Sequence, residues 1–230
     1  MTLAFVVGQL VGAVTLLLAI TTATLVGRDR IVETRREYRE RFTAVAPYVG
    51  LLTVVLVANK IARDIGPAVS WLVGVRITGW LKRLDGLLLW PLFPGDPPQV
   101  VVWLQSMATP ELTAYFSFVY VYGYVFLLAF PPIAYFALPD PRPLRRTIVA
   151  YGTNYLLGVF CYVLFIAYAP RNVLVQQAEG LLSTQYTQYQ FITAVVNDQT
   201  NAFPPLHPSM AVTAALPSAT TRPEYPPWVA

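Results

Sequence analysis

Several stretches of this chain carry no charge over lengths that suit a membrane crossing. Leu3 to Val26 runs for 24 residues, Leu112 to Leu138 for 27 and Thr147 to Pro170 for 24. Ala44 to Asn59 is shorter, at 16, and is extended at its start by Phe42 and Thr43. A helix needs about 20 apolar residues to cross a hydrocarbon core about 30 Å thick. In lipid every backbone N–H and C=O must be satisfied within the segment, so such runs fold as helices. A fifth run, Pro208 to Thr221, is uncharged over 14 residues and is interrupted by Pro217. Gly66 to Trp90 is apolar but has Arg76, Lys82, Arg83 and Asp85 set into it. That pattern suits a helix lying in the interface, or a re-entrant hairpin, better than a span.

Composition closes the other routes. Hydrophobic residues make up 56% of the chain and charged residues 12%, about half the charged share of roughly 25% in a soluble domain. Disorder needs the opposite balance. One cysteine, Cys161, excludes a disulfide framework, and one cysteine with one histidine excludes a Cys/His zinc site. No metal or cofactor is expected. The start Met1-Thr2-Leu3-Ala4-Phe5 has no basic residue, and the apolar run behind it is too long for a secretory signal, so it reads as a retained span. The expected fold is all-α: a polytopic membrane helix bundle with about five spans and one or two interfacial helices. It is expected to form a single membrane domain over residues 1–230.

The basic residues orient the bundle. Arg28, Arg30, Arg35, Arg36, Arg39 and Arg41 follow the first run, and Arg142, Arg145 and Arg146 follow the third. Short loops rich in Lys and Arg stay cytoplasmic. Both loops share that side if the N-terminus and the second and fourth exits are extracytoplasmic, and Arg222 then falls inside too. Asp29, Glu33, Glu37 and Glu40 alternate with the arginines at helical spacing. That interleaving argues for a topogenic anchor and against nucleic acid.

The opposite face collects Lys60, Arg63, Arg171 and His207 from distant parts of the chain. Charge near hydrocarbon is costly and needs a partner or a role; for Lys60 and Arg63 snorkelling to headgroups is an equal reading. His207 is the only histidine. It lies in Phe203-Pro204-Pro205-Leu206-His207-Pro208-Ser209, at the start of an apolar run. A helix N-terminus favours an anion there, and a protonated imidazole can give a proton to a leaving oxygen. Arg171 closes the fourth run in Ala169-Pro170-Arg171, and guanidinium matches phosphate oxygens in a fork.

These residues resemble the type 2 phosphatidic acid phosphatase superfamily, in the branch of inositolphosphorylceramide synthase-like proteins. That branch has a Phe-Pro-Ser-Leu-His motif opening a helix, after a span ending in Pro-Arg. Here Phe203-Pro204-Pro205-Leu206-His207 and Pro170-Arg171 match, and Tyr151 and Asn154 fit a pattern of archaeal-type members. The resemblance implies an integral protein of the cell membrane, with the N-terminus and site extracytoplasmic, acting on phospholipid or prenyl phosphate esters as a phosphatase or phosphotransferase. It implies His207 as general acid and Arg171 as phosphate ligand. Lys60 is a second phosphate ligand, on topology.

The departures are as specific. Pro205 stands where the family has Ser, which removes an N–H and a hydroxyl. The third motif, with a further Arg, the nucleophilic His and its Asp, has no match. The expectation is therefore the front part of a six-span phosphatase-like fold, or a diverged copy, inactive as this chain. The alternatives are a non-catalytic protein that binds anionic lipid headgroups, and an unrelated transporter. The acidic residues all fall outside the runs read as spans, which counts against the transporter.

Overall fold

The computed structural model describes residues 3–96, 98–174, 178, 180–182 and 203–220; the side chains of Leu3, Pro67, Arg171 and residues 217–220 stand outside that description. The whole 183–202 stretch and Arg222 therefore lie outside the described residues. The chain is mostly helical. Its elements are α1 (Leu3–Thr21), a π-helical turn (Thr22–Val26), α2 (Arg28–Arg36), α3 (Tyr38–Val73), β1 (Val75–Arg76), α4 (Thr78–Leu89), α5 (Val100–Ser106) and α6 (Pro110–Phe118). A second π-helical turn (Val119–Gly123) follows, then α7 (Tyr124–Phe136), α8 (Arg142–Leu164), β2 (Phe165–Ile166), α9 (Pro170–Val173) and α10 (Leu206–Thr220).

Among the described residues, four helical stretches are long and apolar enough to cross a membrane: Ala4–Val26, Tyr38–Gly66, Pro110–Phe136 and Arg142–Leu164. The four long runs of the sequence overlap them, the fourth run extending six residues past Leu164. Their apolar side chains largely face outward, with Leu16 61% exposed, Val54 65% and Phe160 62%. Such surface is costly in water and suits lipid. The fifth run forms α10, whose 15 residues span about 22 Å at 1.5 Å per residue, short of a full crossing. The sequence expectation for Gly66 to Trp90 needs correction in its first part. Gly66 to Val73 continues α3 without a break, and only Thr78–Leu89 forms a separate short helix.

The chain divides into two compact units, each built from three chain segments. The first holds residues 1–7, 65–120 and 160–204. In it β1 pairs in parallel with β2, Val75 opposite Phe165 and Arg76 opposite Ile166, a small departure from an all-helical chain. Gly74 enters this pairing with no room for a side chain: a Cβ there would lie 2.5 Å from the Ser70 carbonyl oxygen. The Thr78 hydroxyl accepts from the Tyr168 N–H at 3.1 Å, and the Tyr162 hydroxyl donates to the Pro204 carbonyl at 3.1 Å.

The second unit holds residues 8–64, 121–159 and 205–230. Its core includes Val26, Val45, Phe130, Ala134, Leu138 and Ile148. In lipid, apolar burial does not by itself favour helix association, so polar ties carry more of the specificity. Two arginines supply them. Arg41 is 9% exposed; it donates to the Leu138 carbonyl at 2.6 Å and the Phe136 carbonyl at 3.3 Å, and reaches Glu37 in a fork at 2.8 and 3.0 Å. These carbonyls lie at the C-terminal end of α7, where acceptors lack helical partners and a cation is favoured. Arg145 donates twice to the Ala44 carbonyl, at 2.8 and 3.1 Å. The starts of α3 and α8 and the end of α7 thus meet at one end of this unit.

Proline shapes α7 in an unexpected way. Pro131 and Pro132 lie inside the helix. Pro132 has no N–H to offer the Leu128 carbonyl four residues earlier. The Tyr151 hydroxyl donates to that carbonyl instead, at 3.1 Å, so the missing bond becomes an α7–α8 tie.

Arg41→Met should lower the stability of the protein in detergent by about 2–3 kcal/mol, because charged-donor bonds to two helix-end carbonyls are lost. Arg142→Gln, whose side chain is 76% exposed, should stay within about 0.5 kcal/mol of wild type. Thermal unfolding of both variants checks the contrast, and equal effects would contradict the tie.

Candidate functional site

The second unit brings several polar groups together around the first turns of α10. His207 is the second residue of that helix and is half-buried. Its ring lies 4.6 Å from that of Tyr124, the first residue of α7, tilted by 42°. Pro208 in the first turn is compatible with a helix start, and the Ser209 N–H closes the turn on the Pro205 carbonyl at 3.2 Å. Gly158 lets α10 seat against α8. A Cβ at Gly158 would lie 2.5 Å from Leu206 Cδ2.

Asn154 of α8 holds α10 from below His207. Its Nδ2 donates to Thr213 Oγ1 at 2.7 Å, and its Oδ1 accepts from Ser209 Oγ at 3.0 Å. The Thr213 hydroxyl passes its own proton to the Ser209 carbonyl at 2.8 Å. The amide thus uses both its donor and its acceptor side on two hydroxyls one turn apart. The neighbouring main chain is also engaged: Asn59 Nδ2 is 3.5 Å from the Tyr155 carbonyl, a long contact, and Asn59 is buried.

Arg63 supplies the charge at this site. Burial first, and then the Arg63 cation, hold the His207 imidazole below its ordinary pKa. The ring is therefore harder to protonate than a free imidazole, and less often holds the proton a general acid must give than the sequence reading assumed. An anion placed beside both groups opposes these effects and draws a proton onto the ring.

The sequence-derived site residues fare differently. His207 sits at the start of α10 against the Tyr124 ring, within reach of the Arg63 charge. Lys60 has its ammonium 2.6 Å from both oxygens of Asp64, with the two side chains 72% and 61% exposed. Arg63, one turn beyond Asn59 on the same helical face, is the cation whose charge reaches His207. Arg171 belongs to α9 in the first unit, and its side chain lies outside the described residues. Among the described residues, no group of three His, Cys, Asp or Glu side chains comes together as a metal site would require. The Asn154 clamp was not foreseen, although Ser209 and Thr213, four apart in an apolar run, were its visible half.

Comparison with family models, with curated proteins and with solved structures found no match. The resemblance to the phosphatase superfamily therefore rests on the motif residues alone.

Asn154→Leu should weaken the docking of α10 by about 1 kcal/mol, the usual scale for a hydrogen bond between membrane helices. Limited proteolysis after residue 203 should quicken in this variant. An unchanged cleavage rate would mean that the clamp holds nothing in place.

Proposed function

We propose that this chain is an integral membrane protein that holds a phosphate-bearing lipid headgroup, on a phospholipid or a prenyl phosphate ester, at the His207 end of its second unit, without turning it over. The carrying observation is that a half-buried His207 stands at the N-terminus of α10 against the Tyr124 ring, with burial and then the Arg63 charge lowering its pKa. A guanidinium, an imidazole and a helix start form an anion site of mixed donors. In this reading Arg63 binds phosphate oxygens and His207 donates once the anion has raised its pKa. Lys60 remains a secondary phosphate ligand, only by exchanging Asp64; Arg171 belongs to the first unit, with its side chain outside the described residues.

Turnover in the resembled family needs one histidine to attack and one to protonate the leaving group. This sequence has one histidine. The phosphatase or phosphotransferase reading is the alternative, and the transporter the third; Asp64 and Glu111 fall at the ends of spanning helices, away from mid-membrane. The proposed topology has the N-terminus outside, the arginine loops in the cytoplasm and His207 at the outer boundary of the cell membrane, ahead of a fifth crossing begun by α10. It is supported by the convergence of both arginine loops at one end of the second unit.

Two experiments test this reading. In a Cys161→Ser background, Arg36→Cys and Pro205→Cys should label from opposite sides of sealed vesicles; labelling from one side contradicts the topology. Short-chain phosphatidic acid should bind purified chain, and Arg63→Gln or His207→Ala should weaken binding about tenfold, near 1.4 kcal/mol. Because burial and Arg63 lower the His207 pKa when the site is empty and an anion opposes both, binding takes up a proton, so affinity should rise as pH falls from 7.5 towards 5.5. His207→Ala should lose that part of the pH dependence. Phosphate release above the His207→Ala background would favour the enzyme, and equal binding by all three proteins would remove the site.

A further inference from the structure

The arginine end of the second unit carries a feature that the orientation of the bundle does not require. Tyr48 of α3 and Arg142, Arg145, Arg146 and Val149 of α8 line an open cavity of about 430 Å³. Directly beneath it, Tyr48 and Val149 also border a second cavity of about 160 Å³, with Leu51, Val55, Gly152 and Leu156 along its walls. The shared residues join the two into one groove between α3 and α8, cationic at the top and apolar below.

The groove is built rather than incidental. Arg145 is fixed in it by two bonds to the Ala44 carbonyl, and its guanidinium lies over the Tyr48 ring at 5.3 Å from the centroid. Two of its five N–H donors are used on Ala44, which leaves donors for an anion. Arg142 is paired with Asp140 at 3.0 Å, so the cluster keeps a surplus of two positive charges over that acid. Gly152 forms part of the floor. A Cβ there would meet only Leu52 Cδ1, at 3.8 Å, so the absence of a side chain opens the groove and is not forced by packing.

Its dimensions match a lipid. From Arg145 to Leu156 the helix rises about 16 Å, and one leaflet of hydrocarbon is about 15 Å thick, half of roughly 30 Å. The lower walls belong to spanning helices, and Leu51, Val149 and Leu156 are exposed within the protein. A soluble anion would satisfy the arginines but leave the apolar groove unfilled; a zwitterionic lipid would fill the groove but oppose a choline to the arginines. We propose that this groove binds one anionic glycerophospholipid from the leaflet at the arginine end, phosphate against Arg145 and Arg146 and one acyl chain along Gly152. Basic pockets between membrane helices on the cytoplasmic side recognise such headgroups. The site is separate from His207 and does not rest on its function.

Native mass spectrometry of the whole chain in detergent tests the proposal, with equimolar dioleoylphosphatidylglycerol and dioleoylphosphatidylcholine added. Wild type should retain one phosphatidylglycerol in about tenfold preference. Arg142→Gln/Arg146→Gln changes only exposed side chains and should abolish the preference. Gly152→Leu should block the chain and lower retention about tenfold with the arginines intact, whereas Gly152→Ala should retain the lipid. If Gly152→Leu fails to fold, the arginine pair decides alone. Equal retention of the two lipids by wild type, unchanged preference in the arginine variant, or displacement of the lipid by inorganic phosphate alone would each overturn the assignment.

Discussion

The grip of Arg41 and Arg145 on main-chain carbonyls is the constraint on which the second unit depends. Lipid offers apolar surface as readily as another helix does, so contacts among Val, Leu and Phe specify little about which helices meet or in what register. A guanidinium bound to a carbonyl near hydrocarbon is different, because both groups are costly to leave unpaired. Arg41 ties the start of α3 to the end of α7, and Arg145 ties the start of α8 to α3. Three helices are thereby aligned at one end.

The other end follows from helix geometry. Asn59 and Arg63 lie 18 and 22 residues beyond Arg41 in one continuous helix, about 27 and 33 Å along its axis. That is the depth of a membrane core, so fixing Arg41 at one boundary carries Arg63 to the other. The Tyr151 hydroxyl on the Leu128 carbonyl and the Asn154 clamp on Ser209 and Thr213 then fill the middle. Polar groups such as Arg41, Asn59 and Thr147 are buried beside the apolar core, while many large apolar side chains face outward. The two ends differ in kind: one is a broad field of arginines, the other a half-buried imidazole with one nearby cation.

Much of this was legible in the sequence, and the reasons are particular. Uncharged runs reveal spans because hydrocarbon thickness sets a length that no other environment demands. The same rule misplaced the end of α3. Lys60, Arg63 and Asp64 look like a boundary, yet the Lys60–Asp64 pair at i,i+4 spacing lets the helix continue to Val73. The π-helical turn at Val119–Gly123 has no sequence signature of its own in an aromatic run. Arg63 and Lys60 are alike on paper, and only the phase of the helix separates the cation whose charge reaches His207 from the one held by Asp64. Asn154 meets residues 55 and 59 positions away, a distance over which one sequence carries no pairing information.

The central claim is that α10 docks on α8 through Asn154 and so seats His207 against Tyr124. Oxidative cross-linking of Asn154→Cys with Ser209→Cys, in a Cys161→Ser background, tests it most directly, since Ser209 Oγ lies 3.0 Å from Asn154 Oδ1. Cysteine at the outward-facing, 58% exposed Val212 serves as the comparison. The account predicts a rapid intramolecular disulfide for Asn154/Ser209 and none for Asn154/Val212. Equal yields for the two pairs, or no disulfide in the first, would contradict it.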